Sequence, residues 1–454
     1  MTSSVDPIRE LARQLAERWG SNRVHLHGDR EYAEASRLWN AAVAVRPALV
    51  VRPRSSAEAA TAVTLARESG VGLSVRGGGH DWAGRALREE GLVLDLEHLR
   101  DVHISGDTAL FGGGSRAADV VTAAAPHGMN LATGTAGVVG MAGLSLAGGY
   151  GPLTGTAGLA ADNLLGAEVV LADGSLVSTD DDPELLWALR GGGGNFGVVT
   201  SMRVRLHSDR GLVGGTIVFD RHEAQTVLAR YAELIDGAPD GLNVLIEMTW
   251  MPDIGACLLA VPTWSGPPQE ADTALAAVER LGTPVANTLA PTSQKELLAQ
   301  FDQHVPNGMH WDIRTRTVAT LTPELIGLLS ARMEARPGPG AGIGLRPLHG
   351  AAARVGTDDT AFGQRESHVV LEISAGRGPD EDPEPYRKWV DGVSTDVAPH
   401  ALPGGYPNFL APGQHEQIAH AYGTHADRLV AAKDAYDPDR VFTATPLPLP
   451  DVPA

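Results

Sequence analysis

The sequence predicts an α+β fold in two parts, and three observations carry that prediction. Glycines crowd the stretch from 72 to 197, among short apolar runs that alternate with helical segments. After about 208 the chain changes to longer runs of alternating hydrophobicity separated by amphipathic helices, the pattern of an antiparallel sheet with helices on one face. The last 50 or so residues change style again, toward a helix closed by Asp437-Pro438 and a proline-rich tail.

The elements follow in order. MTSSVDPIRELARQLAERWG reads as an amphipathic helix capped near Ser4 or Asp6. ALVVRP (48–53) is an extended apolar run, SAEAATAVTLARESG (56–70) is a helix with a glycine stop, and GLSVRGG resumes as a strand. GLVLDLEHLRDVHIS and TALFGGGS add short strands, and RAADVVTAAAPHG (116–128) is a second glycine-closed helix. In LLGAEVVLADGSLVS (164–178), Ala172-Asp173-Gly174-Ser175 reads as a hairpin turn. GGTIVFD, LNVLIEMTW, ACLLAVPTW and HVVLEIS are strands of the second part, with helices at 221–236, 268–281 and 323–336. HEQIAHAYGTHADRLVAAKDAYDP reads as one helix, and the tail after Thr443 as a surface segment.

Composition narrows the function. The 454 residues carry 36 Lys plus Arg against 55 Asp plus Glu, a net charge of −19, with no basic cluster. Phosphate backbones and anionic lipid surfaces would repel such a chain, so nucleic acid and membrane are poor partners. A single cysteine, Cys257, excludes an internal disulfide and a cysteine-rich metal site. There is no signal-type apolar run and no stretch of 18 apolar residues, which reads as a soluble, cytoplasmic protein.

Three glycine loops remain to be explained: Gly77–Gly79, Gly134–Gly149 and Gly191–Gly197. Glycine runs are costly unless the backbone must bend sharply or touch something. Loops without side chains let backbone N–H groups converge on an anion. Gly192-Gly193-Gly194-Asn195-Phe196-Gly197 matches the G-x-G-x-x-G letters of a dinucleotide fingerprint. It follows a helix-like segment and opens a β-branched strand, the reverse of the strand-to-helix context such a fingerprint needs. A nicotinamide-binding Rossmann domain is therefore set aside. In VRGGGHDWAG (75–84), His80 is the first side chain able to reach whatever the glycines touch.

VVRPRSSAEAATAV, VRGGGHDWAG, GMAGLSLAGGYGPLTGTAGLAADNLLGAEVVLADG and LLWALRGGGGNFGVVTSMRVRL together resemble the flavin-binding domain of the berberine-bridge-enzyme-like group. That group lies within the vanillyl-alcohol-oxidase superfamily of FAD enzymes with a PCMH-type FAD-binding domain. GGYPNF and YGTHADRLVAAKDAYDPDRVF are similar to the group's closing segment, and GTDDTAFGQRESH matches loosely. The resemblance implies a two-part PCMH-type FAD-binding domain, 1–207 completed by 405–454, and an α+β substrate-binding domain over 208–404. It implies that the loop of Arg76, Gly77, Gly78, Gly79 and Asp81 holds the FAD pyrophosphate and that His80 is bonded to the flavin 8α-methyl. Gly134, Thr135, Val139, Gly140, Gly143, Gly149, Asn195, Gly197, Val199, Tyr406 and Asn408 complete the implied cofactor site. Some members carry a second, cysteinyl link in a G-x-C-P-x-V-G segment. Here Ala136 stands in that place and Cys257 lies far off, so the expectation is one histidyl link only.

The same resemblance implies an oxidase of the compact bacterial type found in specialised metabolism. It would take a hydride from an alcohol or amine carbon of a small or medium organic substrate, oxidative cyclisation included. Dioxygen would reoxidise the flavin, giving hydrogen peroxide, with a small residue at Val139 leaving oxygen access. Many relatives place a base on the second tyrosine of Tyr-x-Asn-Tyr, where this chain has Tyr406-Pro407-Asn408-Phe409. Phenylalanine takes no proton, so that role is either absent or moved. Alternation puts His368, Val370, Glu372 and Ser374 on one face of HVVLEIS, and Glu372 is the first candidate. Glu247, an acid inside an apolar strand, is the second, with Tyr406 at the flavin edge. His310, Asp312 and His349 are weaker candidates, and Trp250, Trp264 and Trp311 read as core or cavity wall. A dehydrogenase using another acceptor and a flavin-binding protein without turnover remain the alternatives, the latter resting on Phe409.

Overall fold

The computed structural model describes residues 6–449, which fold around three sheets. The first has four strands, Val24–Leu26, Leu49–Val51, Leu73–Arg76 and Leu92–Asp95. The last three run parallel, and Leu49, Val50, Val51, Leu92, Val93 and Leu94 are fully buried, as a sheet covered on both faces requires. Against it lies the helix Ser56–Glu68, whose Ser55 cap accepts the Glu58 N–H at 3.2 Å. Ala59, Ala62, Val63 and Ala66, spaced for one helical face, are wholly buried against the strands. The N-terminal helix, Pro7–Trp19, is capped by Asp6; Ser4 lies outside the described residues.

The second sheet runs from Val102–Ser105 through the long strand Val198–Ser208 to Leu164–Val170 and Leu176–Ser178. The Asp173-Gly174 turn joins the last two, with Gly174 at φ +84° and the Asp173 carboxylate accepting the Ser175 N–H at 2.8 Å. The G-x-G-x-x-G letters sit between the helix Pro183–Leu189 and the strand Val198–Ser208, as their flanks predicted.

The third sheet has nine strands and is antiparallel throughout. One face carries helices, among them Ala224–Asp236, Pro323–Glu334 and Pro383–Val397. Into that core point Leu242, Val244, Ile246 and Met248, then Ile343 and Leu345, then Val369, Leu371, Ile373 and Ala375. Full burial of each large apolar side chain is worth roughly 1.5–3 kcal/mol, so this face locks the register of the sheet. The alternate residues are thereby turned toward the glycine-rich part. The bidentate ion pair of Arg365 with Asp162, at 2.7 and 3.0 Å, ties the two together, as do the two hydrogen bonds between Asn40 and the Trp311 backbone.

Two expectations are corrected. The segment 415–438 is two helices, His415–His420 and Ala426–Tyr436, because Gly423 takes φ +52° between them. The tail after Thr443 is not a surface segment at its start. Asn195 donates to the Thr445 carbonyl and accepts the Ala444 N–H, both at 2.8 Å, and Tyr422 donates to the Pro446 carbonyl at 3.0 Å. Among the described residues no helix is long and apolar enough to cross a membrane.

Candidate functional site

A cavity of about 310 Å³ lies between the glycine loops and the free face of the nine-stranded sheet. Gly77, Gly78, Gly79, Gly134, Thr135, Val139, Gly140, Gly143, Gly197 and Val199 line it together, so all three glycine loops converge there. Where the loops cross, the glycines are sterically required. A Cβ on Gly78 would stand 2.3 Å from the Gly140 nitrogen, and one on Gly113 would stand 2.1 Å from the Val199 carbonyl oxygen. Gly79, at φ +70°, turns the chain so that His80 faces the cavity.

His80 stacks on Trp39 with ring centroids 4.3 Å apart. Its Nε2 is buried and, among the described residues, has no hydrogen-bond partner. Burial pushes the imidazole down to about 4, so it is neutral at physiological pH. Asp81 also lines the cavity, bound to Arg85 at 2.5 Å, and Arg85 donates to the Asn408 carbonyl at 2.8 Å.

Tyr406, Asn408 and Phe409 reach the cavity from the C-terminal segment. The Tyr406 hydroxyl oxygen accepts from the Gly149 N–H and from Asn408 Nδ2, both at 2.9 Å, and burial raises its proton affinity. Phe409 packs edge-on against it at 5.4 Å. On the sheet side, Glu372 lines the cavity and accepts from Arg346 Nε at 2.7 Å. Burial opposes the Arg346 charge, but Glu372 and Glu247 more than offset it and hold the guanidinium protonated.

Four of the candidate residues do not line the cavity. Arg76 turns away to Asp95, at 2.9 Å, where Arg52 also binds. Asn195 spends its side chain on the tail, and Gly149 spends its N–H on Tyr406. Glu247 lies behind Arg346, 3.3 Å from its Nη2. Of the weaker candidates, Asp312 is bound by Arg377 at 2.5 Å and His349 is buried beside Gly155. Trp311 stacks behind Trp39 at 5.2 Å, Trp264 is core, and Trp250 is exposed.

Several lining residues escaped the sequence reading. Arg346 comes from Ala341–Leu348, a strand that alternates apolar residues with glycines and so shows no apolar–polar period. Tyr150 sits within the quoted glycine loop, and its hydroxyl donates to His368 Nε2 at 2.8 Å. His368 Nδ1 in turn donates to the Glu366 carbonyl at 2.7 Å, which fixes the tautomer. Burial lowers His368 to about 4. Trp39, Phe301, Val305 and Ile313 supply apolar wall, and nothing in their local sequence marks them.

Backbone-lined loops of this kind suit a long anionic cofactor, and His80, with its Nε2 unpartnered, lines the same space. A separate sheet then brings polar groups to the far side. The class so defined is a cofactor-dependent enzyme. The profile of the FAD binding domain family matches residues 47–180. An FAD-linked oxidoreductase of Gibberella zeae is 30% identical, the match covering 92% of this chain and 84% of its own. (R)-6-Hydroxynicotine oxidase of Paenarthrobacter nicotinovorans is 34% identical over 60% of this chain and 61% of its own. The crystal structure of 6-hydroxy-D-nicotine oxidase from Arthrobacter nicotinovorans superposes with a TM-score of 0.85 at 28% identity, covering 94% of this chain and 98% of that one. The berberine-bridge-enzyme-like protein 1 of Physcomitrella patens shares the fold, with a TM-score of 0.88 at 22% identity over 97% and 99% of the chains. The chain belongs to the FAD-linked oxidoreductases and has the fold of the berberine-bridge-enzyme-like protein. It is an FAD-binding enzyme.

Proposed function

We propose that the enzyme is an oxidase carrying FAD on a single link to His80. Its substrate is a small or medium organic molecule with an oxidisable alcohol or amine carbon, and its products include hydrogen peroxide. The observation that carries this reading is Glu372, on the cavity wall with Arg346 at 2.7 Å, in an otherwise largely apolar space. FAD, when bound, accepts the hydride at N5 and passes the electrons to dioxygen. Glu372 takes the proton from the substrate O–H or N–H as the hydride departs, the role Phe409 cannot fill. Arg346 holds the carboxylate in place. Trp39, Phe301, Val305 and Ile313 exclude water around a planar or apolar substrate.

His80 supports the single link through its neutral ring and free, buried Nε2, while Ala136 offers no thiol. Val139 lies beside Gly140 on the lining, and its small side chain supports dioxygen access in this reading. Tyr406 and Asn408 hold the closing segment against the cofactor loop. The working division is a cofactor domain of 1–207 completed by 405–454, and a substrate domain of 208–404.

The test is anaerobic stopped-flow mixing with a panel of alcohols and amines, 6-hydroxynicotine included, followed by oxygen. The reading expects flavin bleaching by at least one class, fast reoxidation on oxygen addition, and stoichiometric peroxide. No bleaching with any alcohol or amine contradicts it; bleaching with slow reoxidation makes it a dehydrogenase.

A further inference from the structure

The sheet face above the cavity carries a charged row, and the proposed reaction leaves one member of it, Glu247, without a role. Glu247 stands directly opposite Gly344, and Gly344 directly opposite Glu372, on three neighbouring antiparallel strands. Directly opposed residues share a face, so both carboxylates project toward the same side. The glycine between them is needed for room, since a Cβ there would lie 2.8 Å from Glu247 Oε2. Arg346, two residues further along that strand and on the same face, reaches into the gap. Its Nε meets Glu372 at 2.7 Å and its Nη2 meets Glu247 at 3.3 Å. Glu372 lines the cavity, and Glu247 backs the guanidinium from the far side.

Resting on the reading of Glu372 as base, we propose that Glu247 is a positioning residue that shares Arg346 with Glu372 and so sets, by its own protonation, how tightly the guanidinium holds the catalytic carboxylate. With Glu247 protonated, Arg346 belongs to Glu372 alone and restrains it. With Glu247 ionised, the guanidinium is divided between two carboxylates and Glu372 is freer to take the substrate proton. Burial raises Glu247 to about 7, the neighbouring Glu372 charge adds to that, and Arg346 works against it. The switch therefore falls near neutral pH, and activity rises as pH rises through it. The groups facing Glu247 are few. Arg346 and Glu372 come from the two strands beyond it; the Tyr231 hydroxyl, which donates to the Val244 carbonyl, lies on the helix side of the sheet and does not face it. Across the other strand its opposite residue is Leu259.

The test needs no substrate at first. Infrared difference spectra of the holoenzyme between pH 8 and pH 5 report the C=O stretch of a protonated carboxyl group. Wild-type protein is expected to gain one buried carboxyl band near pH 7, and Glu247→Gln to lack it. Glu372→Gln is expected to keep the band but move it to lower pH, because the like charge is gone and Arg346 turns wholly to Glu247. A band indifferent to Glu372→Gln, or no band titrating near neutrality, overturns the proposal. Should Glu247→Gln fail to fold, the Glu372→Gln shift still decides, since it leaves Glu247 in place. Turnover then adds a second readout. With a substrate found in the stopped-flow panel, Glu247→Gln is expected to lose the neutral limb of the flavin-reduction profile and about tenfold in rate at pH 8, one pH unit of coupling. Full activity in Glu372→Gln with the band shift intact would remove the base reading alone. An inactive Glu372→Gln with no band shift would remove only the coupling.

Discussion

Below the cavity, Gly77–Gly79, Gly140 and Gly197 present bare backbone; above it, Arg346 and Glu372 present side chains from alternate positions of two strands. The lower wall works because side chains are missing, and its loops touch at distances where a single Cβ would collide. The upper wall works through the parity of its strands, with one set of residues buried under helices and the other handed to the cavity. A wall of backbone binds by shape and tolerates no additions where its loops cross. A wall of side chains does chemistry and can be edited one group at a time.

This contrast orders the expected effects of substitution. The largest belongs to the lower wall, where Gly78→Val should force the 77–79 and 139–140 loops apart. The expected outcome is loss of bound flavin, seen as the ratio of visible to ultraviolet absorbance, with a stability cost of roughly 1–3 kcal/mol in denaturant titration. Retained flavin at the wild-type ratio would break the view of that wall as a closed cradle. Next comes Glu372→Gln on the upper wall. It should leave flavin content unchanged while slowing substrate-dependent flavin reduction by about 10²–10⁴-fold. Loss of flavin in this variant would mean that the two walls are not separable.

A smaller effect concerns His368, buried under Tyr150 and lowered to about 4. The unfolded chain binds a proton at this position near pH 6.5 while the folded chain does not, so its contribution to stability is lost as pH falls from about 6.5 toward 4. Thermal melts across that window should show a steeper acid loss for wild type than for His368→Gln, which keeps an acceptor for Tyr150. Parallel curves would show that His368 does not carry this linkage. Glu247, raised by burial, contributes with the opposite sign, so only the difference between the two proteins isolates the histidine.

The same contrast explains what could be read in the sequence. The lower wall was legible because glycine runs are expensive and their flanks are distinctive: Gly77–Gly79 before His80, and Gly191–Gly197 between a helix and a strand. Parity on HVVLEIS placed Glu372 with His368 and Val370, and the burial of Val369, Leu371 and Ile373 on the opposite face agrees with that alternation. Arg346 was not legible, because its strand offers glycine wherever a polar residue would have revealed the period. Trp39, Phe301 and Val305 converge from segments hundreds of residues apart, and no local pattern records that meeting. The tail was misread because proline-rich composition says nothing of Asn195, which draws Ala444 and Thr445 inward.

His80 is the proposed anchor of the cofactor. The direct measurement is flavin fluorescence in the protein band after denaturing electrophoresis, for wild type and His80→Ala side by side. A fluorescent wild-type band that goes dark in His80→Ala is the predicted result. A dark wild-type band, or fluorescence that survives the substitution, would contradict the single histidyl link.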